Sequence, residues 1–302
     1  MGLAPRPPDS LPAAAAGAGN PTEARCRMSF SSRPAWGRMR GEPMAFPNFR
    51  NKHAHEALVT PRAFLAYARS RGTVPKGCPP EGLIIAYHRN LMRYVLQHHR
   101  TRRVKGFFGE MFLLHETRNR VAIIGNFGIG APGAVIHLEE FIEWGVPKFV
   151  SVGTAGGLQK GLKIGDLVLC ERAIRDEGCS HHYLRPLKYA YPSPALTDRV
   201  RAALQAGRLK FTSGTSWSID TPYRETVSEA RRYRRQGVLT VEMEAAALFA
   251  VGKYRKAQVA SLFSISDSLA ELPWEPKFHL RRNQTGLEKI YRVAVEALAT
   301  QG

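Results

Sequence analysis

VSVGTAGGL (Val150–Leu158) is followed almost at once by GLKIGDLVL (Gly161–Leu169). A β-branched run passes into small residues and turn residues, and then into a second β-branched run. The pattern predicts two strands of a buried sheet, the first with a glycine-rich carboxyl end. Working outward, strands are expected at Leu83–Ala86, around Phe107–His115 and Arg120–Asn126, at Lys148–Val152 and at Asp166–Glu171. Further strands are expected near Leu209–Ser213, at Leu239–Val241 and at Gln258–Ser264. Helical periodicity falls between them. It marks Pro61–Ser70 (Thr60 as N-cap), Gly133–Trp144, Ala195–Ala206, Val227–Arg235, Ala245–Tyr254 and Gly286–Ala299, with one more helix after the first strand. Strands alternating with helices over short links mean an α/β fold around a largely buried sheet.

The chain has 302 residues and a formal charge of +19, with 44% hydrophobic and 23% charged residues. Those fractions are globular and exclude wholesale disorder. No apolar run approaches the ~18 residues that cross a bilayer. Residues 1–43 hold seven Pro, six Arg and three acids, too little apolar periodicity for a core, and they are expected to be a disordered tail. Residues 44–302 are expected to be one catalytic domain. The tail carries +3, so +16 belongs to the body. Such a charge suits nucleic acid or smaller anions alike. The four Cys lack C-x-x-C spacing, which points to reduced thiols in a cytoplasmic setting and away from a zinc ribbon.

Four strand ends carry candidate chemistry. NFGIGAP (Asn126–Pro132) joins a strand to a helix, and its backbone N–H groups with the helix start suit an anion; a tight turn is the plain alternative. GTAGG is the second glycine-rich end, at the sheet edge where ligands collect in α/β folds. VEMEAAA (Val241–Ala247) places Glu242 and Glu244 around Met243 at the mouth of a strand. Acids there are costly to bury without polar partners, and capping of the following helix is the plain reading. SISDSL (Ser264–Leu269) offers Asp267 at a fourth strand end.

In this order and spacing the four motifs, spanning about Arg120 to Leu269, resemble the nucleoside phosphorylase superfamily, which includes uridine phosphorylase, purine nucleoside phosphorylase and related nucleosidases. The resemblance implies a three-layer αβα fold with a central mixed sheet and a homo-oligomer, either a dimer or a trimer of dimers. It implies cleavage of an N-glycosidic bond with inorganic phosphate as co-substrate, giving free base and ribose 1-phosphate, without a metal or cofactor. Gly128, Gly130 and Thr154 would contact phosphate; Met243, Glu244 and Glu242 would line the ribose. Asp267 would act on the base as members using purines do, and Arg224 follows Asp220-Thr221-Pro222-Tyr223 without the Gln of uridine-specific members. His182 and Tyr183, in DEGCSHHYL (Asp176–Leu184), and Arg224 would meet the base. His53 or His55 would reach a neighbouring subunit's sugar site.

Two departures bear on the nucleophile. Ser151 stands where the phosphorylases usually carry Arg, and LIIAYHRNL (Leu83–Leu91) replaces their P-G-D-P-x-R loop. Arg is the preferred phosphate clamp because its planar fork holds two oxygens. Arg89, Arg102, Arg103 or Arg224 would have to replace it; otherwise water attacks and the enzyme is a nucleosidase. The catalytic Glu that hydrolases of the superfamily carry near the first strand has no counterpart in Leu83–Leu91. The basic runs RTRRVK (Arg100–Lys105) and RRYRR (Arg231–Arg235) leave non-catalytic nucleotide or nucleic-acid binding as a distant alternative. No membrane association is expected.

Overall fold

Side chains of the central strands alternate between two helical layers. The structure, a computed structural model, describes residues 46–49, 51–75, 77–271 and 274–300; the expected tail lies outside them. Strands β1 (Gly82–Ala86) and β4 (Val121–Gly125) are buried at every position, as their unbroken apolar runs predict. Leu83, Ile85, Ala122 and Ile124 enter one core cluster, and Ile84, Ala86, Val121 and Ile123 enter another. That is the two-residue period of a sheet covered on both faces. Helices α3 (Ala131–Trp144) and α6 (Ala245–Arg255) close the first cluster, with α1 (Pro61–Ser70) packed on α3. Helices α2 (Arg89–His98), α4 (Pro194–Ala206) and α7 (Arg281–Ala299) close the second. The architecture is three-layer αβα.

The other strands are β2 (Thr101–Val104), β3 (Glu110–Leu114), β5 (Lys148–Gly157), β6 (Leu167–Asp176), β7 (Tyr189–Ala190), β8 (Phe211–Ile219), β9 (Thr240–Glu242), β10 (Gln258–Ser268) and β11 (Glu275–Pro276). Parallel and antiparallel pairs coexist, so the sheet is mixed. Strand β5 pairs with both β10 and β9, which closes β5, β10, β6, β8 and β9 into a ring. From β5, the strands β1, β4, β3 and β2 extend as an arm.

Most helices start and stop within a residue or two of the sequence expectation. For α1, Thr60 accepts from Ala63 N–H at 3.1 Å with Pro61 at the first position. Helix α5 (Val227–Arg235) starts on a capping box between Thr226 and Glu229, which satisfies two otherwise orphaned donors. The strands differ more. Strands β5, β6, β8 and β10 all run four to six residues beyond their expected carboxyl ends. Small residues that read as turns are paired: Gly156 and Gly157 face Asp267 and Ser268 on one side, Val241 and Thr240 on the other. GTAGG is therefore strand, not a strand-end loop. A side chain at Gly156 would put its Cβ 2.5 Å from Leu269 Cδ1 and 3.1 Å from Asp267 Oδ2, so glycine here admits neighbouring strands. RTRRVK, expected as a basic run, is largely the edge strand β2, with Arg102 and Arg103 exposed.

Helix α7 begins five residues earlier than expected, because Gly286 is the point where the helix crosses β10 rather than a start signal. A Cβ there would lie 2.1 Å from Ser264 Oγ and 2.9 Å from Ser264 Cβ. Gly286→Ala is therefore expected to destabilise the protein by about 1–3 kcal/mol through overpacking, read as a lower midpoint in urea unfolding. An unchanged or higher midpoint would contradict this crossing.

Candidate functional site

The junction of β9 and α6 is built on one buried carboxylate. Glu242 accepts from the N–H groups of Glu244 (2.8 Å) and Ala245 (2.7 Å) at the start of α6. It also accepts from Ser216 Oγ at 3.2 Å and from Ser218 Oγ, both on β8. Its four donors are protein groups, so the Glu242 carboxylate is committed to capping the helix rather than free for a sugar. This is the plain reading of the acid pair, realised for one of its two members.

Glu244 is the other member, at the N-cap of α6. One of its oxygens accepts from Gly130 N–H at 2.6 Å, bringing together two motifs 114 residues apart. Gly130 (φ +100°) caps α3 in a conformation that favours glycine, and a Cβ there would lie 3.9 Å from the Met243 methyl. Burial, with the Glu242 charge beside it, pushes the Glu244 carboxyl up to about 8. At neutral pH Glu244 therefore carries a proton.

Asp267 lies near the end of β10, buried, one strand from the β9–α6 junction. One oxygen accepts from Ser266 Oγ at 2.7 Å and the other from Trp274 Nε1 at 2.8 Å. Glu225, between the 3-10 turn Pro222–Arg224 and the cap of α5, is near enough to feel Asp267. Burial first, then the Asp267 and Glu229 charges, push its carboxyl up to about 7.

The segment after β6 is held from inside. Arg175 is buried and donates to Ser180 Oγ and to the carbonyls of Ser180, Leu184, Arg185 and Leu187. Asp220, at the end of β8, accepts from Gly178 N–H at 2.7 Å. His182 and Tyr183 from this segment line a cavity of about 700 Å³ together with Pro132, Val135, Ile136 and Phe64. That cavity opens between α1, α3 and α6, and Asp267 is not among its lining residues. His55 lines the same cavity, and His53 is half-buried.

A family model described as Phosphorylase superfamily matches residues 83–299. The chain belongs to that superfamily. A guanosine phosphorylase of Halorubrum lacusprofundi is 31% identical over 167 residues, 51% of this chain and 69% of the relative. A DeoD-type purine nucleoside phosphorylase of a Geobacillus species is 30% identical over 204 residues, 66% of this chain and 83% of the relative. Among solved structures, purine nucleoside phosphorylase from Toxoplasma gondii in complex with immucillin-H superposes with a TM-score of 0.65. It is 19% identical and covers 74% of this chain and 91% of its own, which speaks for the fold. Uridine phosphorylase from Vibrio fischeri gives 0.60 at 24% identity, over 73% and 91% of the two chains.

In this member of the Phosphorylase superfamily the arginines suggested as a replacement clamp stand elsewhere. Arg89 is exposed and lines a separate depression with Arg93, Gln97 and Asn126. Arg102 and Arg103 line another, beside Lys105, and Arg224 is exposed on its turn. Thr154 lies within β5, not on a turn. Beside it, the Tyr87 hydroxyl is 3.2 Å from Ser151 Oγ, and the Tyr87 ring lies against Gly153, 3.2 Å from where a Cβ would be. Burial, then the Glu244 charge, hold the Tyr87 hydroxyl well above its ordinary value. Acids act on both groups, Glu244 and Glu242 on Tyr87 and Glu242 and Asp220 on Glu244.

Tyr87, Asp220, Glu225 and Trp274 did not emerge as site residues from the sequence. Tyr87 follows directly on strand β1, so its place at a strand mouth was the available signal. Trp274 has no such signal, since only the fold brings it back to Asp267.

Between 4.5, its ordinary value, and about 8, Glu244 keeps its proton folded and releases it unfolded, so this group's contribution falls as pH rises. Glu244→Gln removes that dependence while keeping an acceptor for Gly130. The thermal midpoint of the variant is expected to gain on the wild type progressively from pH 5 to pH 9. Parallel curves would show that Glu244 is ionised in the folded protein.

Proposed function

We propose that the protein cleaves the N-glycosidic bond of a purine nucleoside with phosphate, releasing the base and ribose 1-phosphate. The observation that carries this reading is the Glu244–Gly130 contact, which puts the sugar-side acid of one motif on the glycine turn of another. Glu244 and Met243 hold the ribose, with Glu242 behind them fixing the helix. Gly128, Gly130 and Thr154 face the phosphate, and Asp267 acts on the base. A sugar hydroxyl that takes Glu244 frees the Gly130 N–H for the anion, so the two substrates help each other bind. Asp267, at the base, is placed to assist the charge that develops on the leaving group. The purine preference draws support from the relatives named guanosine and purine nucleoside phosphorylase.

Hydrolysis by water at the same site is a second reading, and one observation favours it. Ser151 and Tyr87 supply hydroxyls where a phosphate clamp would supply a guanidinium. A dianion is costly to hold without a charged partner. The remaining features belong to the proposal as well. Residues 44–302 act as one domain in a cytoplasmic homo-oligomer, a dimer or a trimer of dimers, and phosphate is the only co-substrate. Among the described residues no helix is long and apolar enough to cross a membrane.

One assay separates these readings. A panel of nucleosides is incubated with and without phosphate and the products are resolved. Ribose 1-phosphate that appears only with phosphate is the expected result; free ribose in both arms means hydrolysis; no base release from any nucleoside refutes both. On a confirmed substrate, Asp267→Asn is expected to lower kcat by about 100-fold or more with a much smaller change in binding. An unchanged rate would remove Asp267 from the mechanism.

A further inference from the structure

Asp267 already holds a ring. Its Oδ2 accepts from Trp274 Nε1 at 2.8 Å, and its Oδ1 accepts from the Ser266 hydroxyl at 2.7 Å. Gly156 leaves room at the first of these oxygens, since a Cβ there would lie 3.1 Å from Oδ2. An indole is a flat ring pair, five-membered fused to six-membered, that offers an N–H from its smaller ring. A purine with a proton on its imidazole half has the same outline and offers a carboxylate the same donor. The indole is otherwise lightly held. It is 53% exposed and, among the described residues, enters none of the core clusters. Its ring meets Phe278 edge to face, with centroids 6.2 Å apart. Strand β11, which follows it, has two residues and pairs with the Asp267–Ser268 end of β10. Pro276 stands opposite Asp267, and proline has no N–H for the ladder. So few buried contacts let the ring leave at little cost.

We propose that Trp274 is an internal stand-in for the base: its indole holds Asp267 before a purine arrives and gives up that oxygen when one binds. This rests on the reading of Asp267 as the group at the base. The exchange replaces one N–H donor on Oδ2 by another, and Ser266 keeps Oδ1 in both states. The buried carboxylate is thus never left short of a donor, and its orientation is set before the ligand enters. The same contact opposes binding. Every base must first displace the indole, so apparent affinity scales with the fraction of molecules whose Asp267 is free of it. A ring that stayed in place and stacked on the base would do the reverse and strengthen binding.

Trp274→Phe keeps a ring and removes the donor. Adenine and hypoxanthine, titrated into the full chain by calorimetry, should bind this variant about fivefold more tightly than the wild type, by the same factor for each. Equal or weaker binding overturns the proposal. A second readout needs the variant only for assignment: the indole N–H signal of Trp274 in the Trp-labelled full chain. It should stand downfield, as an N–H bonded to a carboxylate does, and move to the solvent position on saturation with adenine. A signal at the solvent position from the start, or one that saturation leaves unmoved, overturns the proposal. The Asp267 carboxyl resonance separates this failure from that of the reading beneath it. If it responds to adenine while Trp274→Phe binds no more tightly, the stand-in alone fails. If neither base binds, or the Asp267 resonance ignores a bound base, the assignment of Asp267 to the base fails and takes the role of Trp274 with it.

Discussion

The hydrogen bonds between the Glu242 carboxylate and the first amides of α6 hold the candidate site together. Through them a three-residue strand, β9, turns directly into a helix, and Glu244 is presented at the turn. The same carboxylate takes Ser216 and Ser218 of β8, while Thr240 donates to Ser216 and Ser218 accepts from Ala246. Leaving a buried polar group short of a hydrogen-bond partner costs about 1–3 kcal/mol, so β8, β9 and α6 are fixed as a unit. Glu244 is then held by backbone amides, Gly130 at 2.6 Å and Met243 beside it, and by no side chain among the described residues.

The charge of the protein is distributed against its site. The chain carries a net +19, yet acids gather at the candidate site: Glu242 and Glu244, Glu225 and Asp267, and Asp220. Among the described residues exposed arginines stand at β2, along α5 and on α2. One buried among them, Arg175, is used to staple the segment after β6. Long-range potential from such a surface attracts anions, yet at contact range the site offers hydroxyls and backbone amides. Protonation of Glu244 and Glu225 lowers the local charge that two buried acid pairs would otherwise carry.

The fold was largely legible in the sequence because the central strands are buried on both faces and the helices carry explicit caps. Thr60-Pro61 and Thr226…Glu229 mark helix starts by local chemistry alone. Strand ends were less legible. Glycine and serine at Gly156, Gly157 and Ser268 look like turn residues in isolation, and only the pairing with a distant strand shows that small side chains serve close approach. At the site, Gly130, Met243, Glu244 and Asp267 were readable as motifs. That Glu242 serves the helix, that His182 and Tyr183 turn toward a cavity by α1, and that Tyr87 stands beside Ser151 depend on three-dimensional neighbours. Spacing along the chain cannot report these. Glu225 was invisible for the same reason, since its burial is made by the fold and the Asp267 charge that adds to it lies 42 residues along the chain.

A cavity of about 700 Å³ by α1 and α3 has neither Glu244 nor Asp267 in its lining, and the two places make competing claims on a ligand. A crystal structure of the protein with a non-hydrolysable purine nucleoside analogue decides between them. The ribose hydroxyls should lie within hydrogen-bond reach of Glu244, with the base edge at Asp267 and the Glu244–Gly130 bond released. An analogue seated in the cavity against His182 and Tyr183, with that bond intact, would contradict the account.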